Sequence, residues 1–132
     1  MKILIVDDDF VNRKILIKYL SAYGQCDVAV NGVEAVEAVK FALDEWDAYD
    51  LICLDIMMPE MDGHTALDKI REIEKEKGKY DLDGTKVIMT TALDDSDNIK
   101  KAFRSQCEAY IVKPIVKEKL IQKLVEFNLI KE

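Results

Sequence analysis

Residues 2–9 read Lys-Ile-Leu-Ile-Val-Asp-Asp-Asp, an apolar run that ends abruptly in three aspartates. A run that is nearly continuous in apolar residues is typical of a strand covered on both faces. Similar runs occupy residues 26–30, 51–54, 86–90 and 109–112. Together with residues 2–6 they give five predicted strands, which a parallel sheet would hold side by side.

Between the predicted strands, apolar residues recur at three-to-four spacing and indicate five helices. Their stripes are Val11, Ile15, Leu16, Tyr19, Leu20 and Tyr23, with Gly24 as a stop; Val36, Val39, Leu43 and Trp46; Ala66, Ile70 and Ile73; Ile99, Ala102 and Phe103; and Leu120, Leu124 and Phe127. The alternation of strand and helix predicts an α/β fold. We expect a flavodoxin-like (βα)5 doubly wound sheet of five parallel strands in the order 2-1-3-4-5, with helices on both faces.

The composition fits a single cytoplasmic domain over residues 1–132, with 49% hydrophobic residues and a formal net charge of −7. This negative charge opposes binding to nucleic acid and to anionic membrane surfaces. Cys26, Cys53 and Cys107 are odd in number and far apart, which favours reduced thiols over a disulfide framework or a zinc site. The apolar start at residues 3–6 is too short for a signal peptide or a membrane span.

Acidic residues follow two of the predicted strands, and in open sheets of this kind ligands bind beyond the carboxyl ends of the strands. Asp7 and Asp8 follow the first strand and Asp55 ends the third, and these strands are neighbours in the predicted order. Three converging carboxylates need compensation, because like charges oppose ionisation. Lys113, after the fifth strand, supplies one positive charge, and a divalent cation, Mg²⁺ or Mn²⁺, would supply two more.

A carboxylate beside such a cation is a competent nucleophile toward phosphorus, so the pocket indicates phosphoryl transfer to an aspartate. Thr91, at the end of the fourth strand, could donate its hydroxyl to one phosphoryl oxygen, and Lys113 could pair with another. Asp9 is interpreted differently, as the N-cap of the first helix.

Four motifs, in this order, resemble the CheY-like response-regulator receiver domains of two-component signalling: Ile-Leu-Ile-Val-Asp-Asp (3–8), Leu-Asp-Ile-Met-Met-Pro-Glu-Met-Asp-Gly (54–63), Thr-Ala (91–92) and Tyr-Ile-Val-Lys-Pro (110–114). The resemblance covers essentially the whole chain. It implies that Asp55 accepts a phosphoryl group from a phosphohistidine of a sensor histidine kinase or phosphotransfer protein. It also implies that Asp8, Asp55 and the backbone carbonyl of Met57 bind Mg²⁺, that Asp7 helps through water, and that the Lys113–Pro114 peptide bond is cis.

The same resemblance implies a switch in which Thr91 moves toward the new phosphoryl group and Tyr110 turns inward. The surface around the fourth helix, fifth strand and fifth helix would then bind a downstream protein target that the sequence does not identify. Candidates to contribute to this surface are Lys100, Lys101 and Arg104. We expect the unphosphorylated chain to be a monomer. Such a chain is a signalling phosphoacceptor and not a conventional enzyme, since it catalyses only its own phosphotransfer and dephosphorylation.

Two apolar residues lie where receivers help to place the water that hydrolyses the aspartyl phosphate. Met57 is two residues after Asp55, and Leu93 is two residues after Thr91. Polar residues at these positions often accompany faster hydrolysis. We therefore predict a phosphoryl group that lasts minutes or more.

Two further features are interpreted as structural. His64, the only histidine, follows Gly63 at a helix start and is expected to be exposed. Met57, Met58 and Met61 are expected to pack within their loop and not to bind a metal.

The main alternative is an enzyme. Residues 7–11, Asp-Asp-Asp-Phe-Val, fit the Asp-x-Asp-x-Val signature of haloacid-dehalogenase-type phosphohydrolases, which would use Asp7 and Asp9. This alternative leaves Asp55 unexplained, and no acidic pair follows Lys113. A flavodoxin-like cofactor carrier is disfavoured because the aspartates would repel a flavin phosphate. An inert receiver-like scaffold would leave a full set of site residues without a role.

Overall fold

The computed structural model describes residues 1–78, 84–92 and 107–131, and within them five strands form one sheet. The strands are β1 (Lys2–Val6), β2 (Gln25–Ala29), β3 (Leu51–Asp55), β4 (Lys86–Thr91) and β5 (Ala109–Val112). They lie in the predicted order, β2-β1-β3-β4-β5, and every neighbouring pair is parallel. The carboxyl ends of all five strands therefore meet at one edge of the sheet.

Four helices are present in the described ranges, α1 (Phe10–Leu20), α2 (Gly32–Asp44), α3 (Gly63–Glu76) and α4 (Lys117–Glu126). The predicted fifth helix is α4. The predicted fourth helix, with Ile99, Ala102 and Phe103, lies outside the described residues. The crossovers that parallel strands require are supplied by α1 between β1 and β2, α2 between β2 and β3, and α3 between β3 and β4.

The core has two layers, because successive strand residues point to opposite faces of the sheet. Leu4 and Leu54 pack on the side covered by α2 and α3, whereas Ile5 and Cys53 pack on the side covered by α1 and α4. Each buried Leu or Ile stabilises the fold by about 1.5–3 kcal/mol. The helices contribute buried faces that contain, on the first side, Ala35, Val39, Ala42, Ala66, Leu67 and Ile70, and on the second, Leu16, Leu20, Leu120 and Leu124.

Three details of the predicted helical stripes are wrong. Val11 is 59% exposed and Ile15 is 37% exposed, since α1 turns only a narrow stripe toward the sheet. Trp46 lies beyond the end of α2 in a left-handed conformation (φ 56°) and is 93% exposed. Gly24 is not the stop of α1, which ends at Leu20. A Cβ at Gly24 would lie 2.0 Å from the carbonyl oxygen of Met1, so close backbone approach requires the glycine.

All three cysteines are free thiols, as predicted. Burial raises the pKa of Cys53 to about 12 and that of Cys107 to about 11. Both thiols are therefore protonated and unreactive near neutral pH. Within the described ranges, no helix has both the length and the apolar character needed to cross a membrane.

Candidate functional site

Three carboxylates converge at the carboxyl edge of the sheet. β1 and β3 are paired with Val6 opposite Leu54, so the residues that follow lie side by side. One oxygen from each of Asp7, Asp8 and Asp55 lies within 4.8 Å of the other two. Asp7 and Asp55 are buried at 0% and 3% exposure, whereas Asp8 is exposed. The predicted convergence is thus present, and the trio opens to solvent through Asp8.

Lys113 is the positive charge that faces this trio. Its Nζ donates to Asp7 Oδ2 at 2.9 Å and lies 3.3 Å from Asp55 Oδ1. Burial lowers the pKa of Lys113, but the hydrogen bond to Asp7 and the charge of Asp55 outweigh it, and the pKa is raised overall. The lysine therefore stays protonated, and one positive charge faces three carboxylates.

Asp55 shows the electrostatic cost of this crowding. Its pKa is raised from 3.8 to about 6, first because the side chain is buried and second because Asp7 is close, although Lys113 opposes the shift. Three ionised carboxylates against one ammonium group leave an excess of two negative charges, which one divalent cation would neutralise. Hard carboxylate oxygens are the ligands that Mg²⁺ prefers, so the acidic cluster fits Mg²⁺.

The turn between β1 and α1 fixes the first two carboxylates. The N–H of Asp9 donates to Asp7 Oδ1 at 2.9 Å, so both carboxylate oxygens of Asp7 accept hydrogen bonds from protein donors. Asp9 caps α1, as predicted, by accepting from the N–H of Val11 at 3.0 Å. Arg13, which was not among the predicted site residues, donates from Nη1 to the carbonyl of Asp7 at 2.8 Å. Only the folded turn brings this arginine to the site, so no sequence motif marks it.

Gly63 allows α3 to begin directly against the end of β3. Its N–H donates to the carbonyl of Ile56 at 2.9 Å, and a Cβ at this position would lie 2.4 Å from the carbonyl oxygen of Asp55. The intervening loop carries Met57, whose N–H lowers the pKa of Asp55 by hydrogen bonding, although burial raises that pKa overall. A glycine here therefore keeps the backbone of this loop close to the acidic trio.

The side chains of this loop and of the first turn of α3 depart in part from expectation. Met58 and Met61 pack against the core and not merely within their loop as predicted, and Met57 is 60% exposed. The prediction that His64 is exposed is wrong: the residue is half-buried. Both of its ring nitrogens are shielded from solvent, and neither has a hydrogen-bond partner among residues 1–78, 84–92 and 107–131.

The ends of β4 and β5 complete the edge. Thr91 is fully buried at the last position of β4, and its carbonyl accepts from the N–H of Lys113 at 2.6 Å. Tyr110 is half-buried on β5 and packs against the core below α2 and α3. The Lys113–Pro114 peptide bond is cis, as the resemblance implied. Four other predicted positions lie outside the described residues: Leu93, Lys100, Lys101 and Arg104.

Comparison with known proteins gives consistent matches. The profile of the response regulator receiver domain family matches residues 3–125. Chemotaxis protein CheY of Treponema pallidum is 38% identical over 125 residues, which cover 93% of this chain and 79% of that protein. Hybrid signal transduction histidine kinase L of Dictyostelium discoideum is 38% identical over 128 residues, which cover 96% of this chain but only 7% of that kinase.

A solved structure, the CheX–CheY–BeF3–Mg²⁺ complex from Borrelia burgdorferi, contains a chain that superposes on this one with a TM-score of 0.82 at 31% identity. The match covers 99% of this chain and 90% of that chain. The matches do not support the phosphohydrolase alternative. Its second aspartate, Asp9, is engaged instead in capping α1.

Proposed function

The chain belongs to the response regulator receiver domain family, whose members are phosphoacceptors of two-component signalling, and we propose that Asp55 is the residue that takes up the phosphoryl group. One observation carries the choice. Asp55 is the carboxylate at the end of the central strand β3, with Asp7, Asp8 and Lys113 around it.

In the proposed reaction, a carboxylate oxygen of Asp55 attacks the phosphorus of a phosphohistidine. A P–O bond forms as the P–N bond breaks, and the imidazole of the donor leaves with the electron pair and takes up a proton. Lys113 neutralises charge on the phosphoryl oxygens as a point charge, and the hydroxyl of Thr91 donates to one of them. This chemistry depends on positioning and charge neutralisation, which suits a buried carboxylate beside a fixed lysine.

The same carboxylates would hold the cation. We assign Asp8, Asp55 and the backbone carbonyl of Met57 as direct ligands of Mg²⁺, with Mn²⁺ as a substitute. Asp7 contributes through water, as the family resemblance implies, while its two oxygens accept hydrogen bonds from Asp9 N–H and Lys113 Nζ. When bound, the cation supplies positive charge that screens the carboxylates from one another and from the phosphoryl oxygens.

The partner of this reaction is a histidine kinase or phosphotransfer protein, in keeping with the kinase and CheY relatives. Movement of Thr91 and Tyr110 signals the phosphorylated state. It changes the surface formed by β5, α4 and the predicted fourth helix, so that this surface binds a downstream protein. Residues 1–132 act as one receiver domain, monomeric before phosphorylation, that hydrolyses its own aspartyl phosphate. The unpaired thiols fit the reducing cytoplasm.

Acetyl phosphate with Mg²⁺ tests the assignment of Asp55. Wild-type protein should gain the mass of one phosphoryl group, Asp55→Asn should gain none, and chelation of Mg²⁺ should abolish the gain. Asp68→Asn, which alters an exposed carboxylate on α3, is the matched control and should behave as wild type. Labelling of Asp55→Asn at the wild-type level would refute the assignment, and phosphate mapped to Asp7 would restore the phosphohydrolase alternative.

A further inference from the structure

Arg13 lies in the first turn of α1 and reaches back toward the acidic turn. Its Nη1 donates to the carbonyl oxygen of Asp7 at 2.8 Å, and its guanidinium carbon lies 5.8 Å from the centre of the Phe10 ring. The Asp7 carbonyl lies beyond Val6, the last paired residue of β1, and Arg13 supplies it with a charged donor. A hydrogen bond from a charged donor is stronger than a neutral one.

This hydrogen bond acts on Asp8 through the backbone. The carbonyl of Asp7 and the N–H of Asp8 belong to one planar peptide unit. A hydrogen bond that fixes the direction of this carbonyl therefore also fixes the orientation of the peptide plane that precedes the Cα of Asp8. The next residue is also held, because the N–H of Asp9 donates to Asp7 Oδ1 at 2.9 Å and the carbonyl of Asp9 accepts from the N–H of Arg13 at 3.1 Å. Asp8 itself is exposed, and these hydrogen bonds hold the backbone on both sides of it.

The charge of Arg13 cannot explain a role in cation binding. A positive side chain at the amino end of a helix opposes the helix dipole, and a positive charge beside a cation site weakens cation binding. Lys14 carries the same charge over the same ring, with Nζ 5.4 Å from the centre of Phe10, but it forms no hydrogen bond to the turn in the part of the chain that the structure describes. The hydrogen bond to Asp7 is therefore what distinguishes Arg13 from its neighbour.

We propose that Arg13 is a positioning residue of the phosphorylation site, which orients the Asp7–Asp8 peptide so that the Asp8 carboxylate points at the bound cation. The inference rests on the proposed function, since it assumes that the trio takes Mg²⁺. It makes an unusual prediction of sign: loss of a positive charge next to a cation site should weaken cation binding.

The test compares Arg13→Met with Lys14→Met, both of which remove one positive charge from the first half of α1. Calorimetric titration with Mg²⁺ should show about fivefold weaker binding for Arg13→Met, the effect of one lost hydrogen bond of typical strength. Lys14→Met should bind as wild type or slightly more tightly. Arg13→Lys keeps the charge and one donor group and should recover part of the loss.

A second measurement needs no metal. The backbone amide resonances of Asp8 and Asp9 in metal-free protein should shift in Arg13→Met and stay in place in Lys14→Met, while thermal unfolding shows that both variants are folded. Arg13→Met that binds Mg²⁺ as tightly as Lys14→Met, with unmoved Asp8 and Asp9 amides, would overturn the inference. If wild type took up no Mg²⁺, the proposed cation site would fail, and the metal-free amide shifts would still decide whether Arg13 holds the turn.

Discussion

The dependence of the buried carboxylates on Lys113 can be tested with Lys113→Met. Nζ lies 2.9 Å from Asp7 Oδ2 and 3.3 Å from Asp55 Oδ1. With an effective dielectric constant of about 20, each contact is worth roughly 5 kcal/mol of Coulomb energy, before the cost of burying the ammonium group is subtracted. Removing one partner of a buried ion pair costs about 3–5 kcal/mol, because the other charge loses its compensation. We expect Lys113→Met to lower the free energy of unfolding by about 3 kcal/mol near pH 7.5 without Mg²⁺.

The loss should depend on pH with a definite sign. The pKa of Asp55 is raised from 3.8 to about 6 in the folded state. The protonated carboxyl therefore contributes fully to stability below pH 3.8, and this contribution is lost as the pH rises through about 6. Without Lys113 the pKa rises further, and ionisation of Asp55 costs more. The pKa of Lys113 is itself raised, so its titration contributes nothing between about pH 5 and pH 8. The difference between Lys113→Met and wild type should therefore shrink when pH falls to about 5.

Urea unfolding followed by far-ultraviolet circular dichroism measures this difference at both pH values. Lys117→Met, which replaces an exposed lysine at the start of α4, is the control and should stay within about 0.5 kcal/mol of wild type. An equal loss for Lys113→Met at both pH values would refute the electrostatic argument. The loss would then come from packing of the lysine stem.

Three further substitutions test the site. Asp7→Asn removes a like charge beside Asp55, so the pKa of Asp55 should fall toward its ordinary value in a carboxyl-carbon NMR titration; an unchanged pKa would mean that burial alone raises it. Met57→Asn should shorten the lifetime of the phosphoryl group, which we expect to last minutes or more in wild type. Phosphate release from the Mg²⁺-loaded protein measures this lifetime, and loss from wild type within seconds would contradict the expectation. Gly63→Ala should lower the free energy of unfolding, measured by urea titration, by about 1–3 kcal/mol. The reason is that the added Cβ would lie 2.4 Å from the Asp55 carbonyl oxygen and 2.9 Å from Ile56 Cα. An unchanged free energy of unfolding would show that the loop backbone moves to accommodate the methyl group at no cost.

The parts of the fold that follow from sequence are those set by burial alone. β3 is buried along its whole length, and its run of apolar residues marks it as a central strand. Once β1 and β3 are neighbours, Asp7 and Asp55 must share the carboxyl edge of the sheet, so the acidic trio could be predicted from strand ends. Resemblance to a family added the roles of the residues, which burial and spacing do not specify.

The details that sequence did not predict depend on how turns close. Trp46 has the spacing of a core residue, but the chain leaves α2 in a left-handed conformation there and turns the indole to solvent. His64 is polar and follows a glycine, yet both of its ring nitrogens are shielded from solvent. Arg13 resembles any solvated helix arginine until the β1–α1 turn brings the Asp7 carbonyl to it. None of the three outcomes follows from the spacing or polarity of the residue in the sequence.

The charges at the sheet edge also connect the acceptor to the surface proposed for the partner. Three carboxylates facing one lysine leave two negative charges, which a divalent cation matches and a monovalent cation does not. Phosphorylation would replace the Asp55 carboxylate, of charge −1, with an acyl phosphate of about −1.5 to −2 at neutral pH, so up to about one further negative charge would be added and the balance would be lost again. Among the described residues, the groups proposed to meet this new charge are Lys113 and Thr91, which lie at the ends of β5 and β4. The N–H of Lys113 already donates to the carbonyl of Thr91 at 2.6 Å. Because this hydrogen bond joins the two backbones, we expect a backbone movement of either residue toward the phosphoryl group to be transmitted to the other, and so to β5, which carries Tyr110.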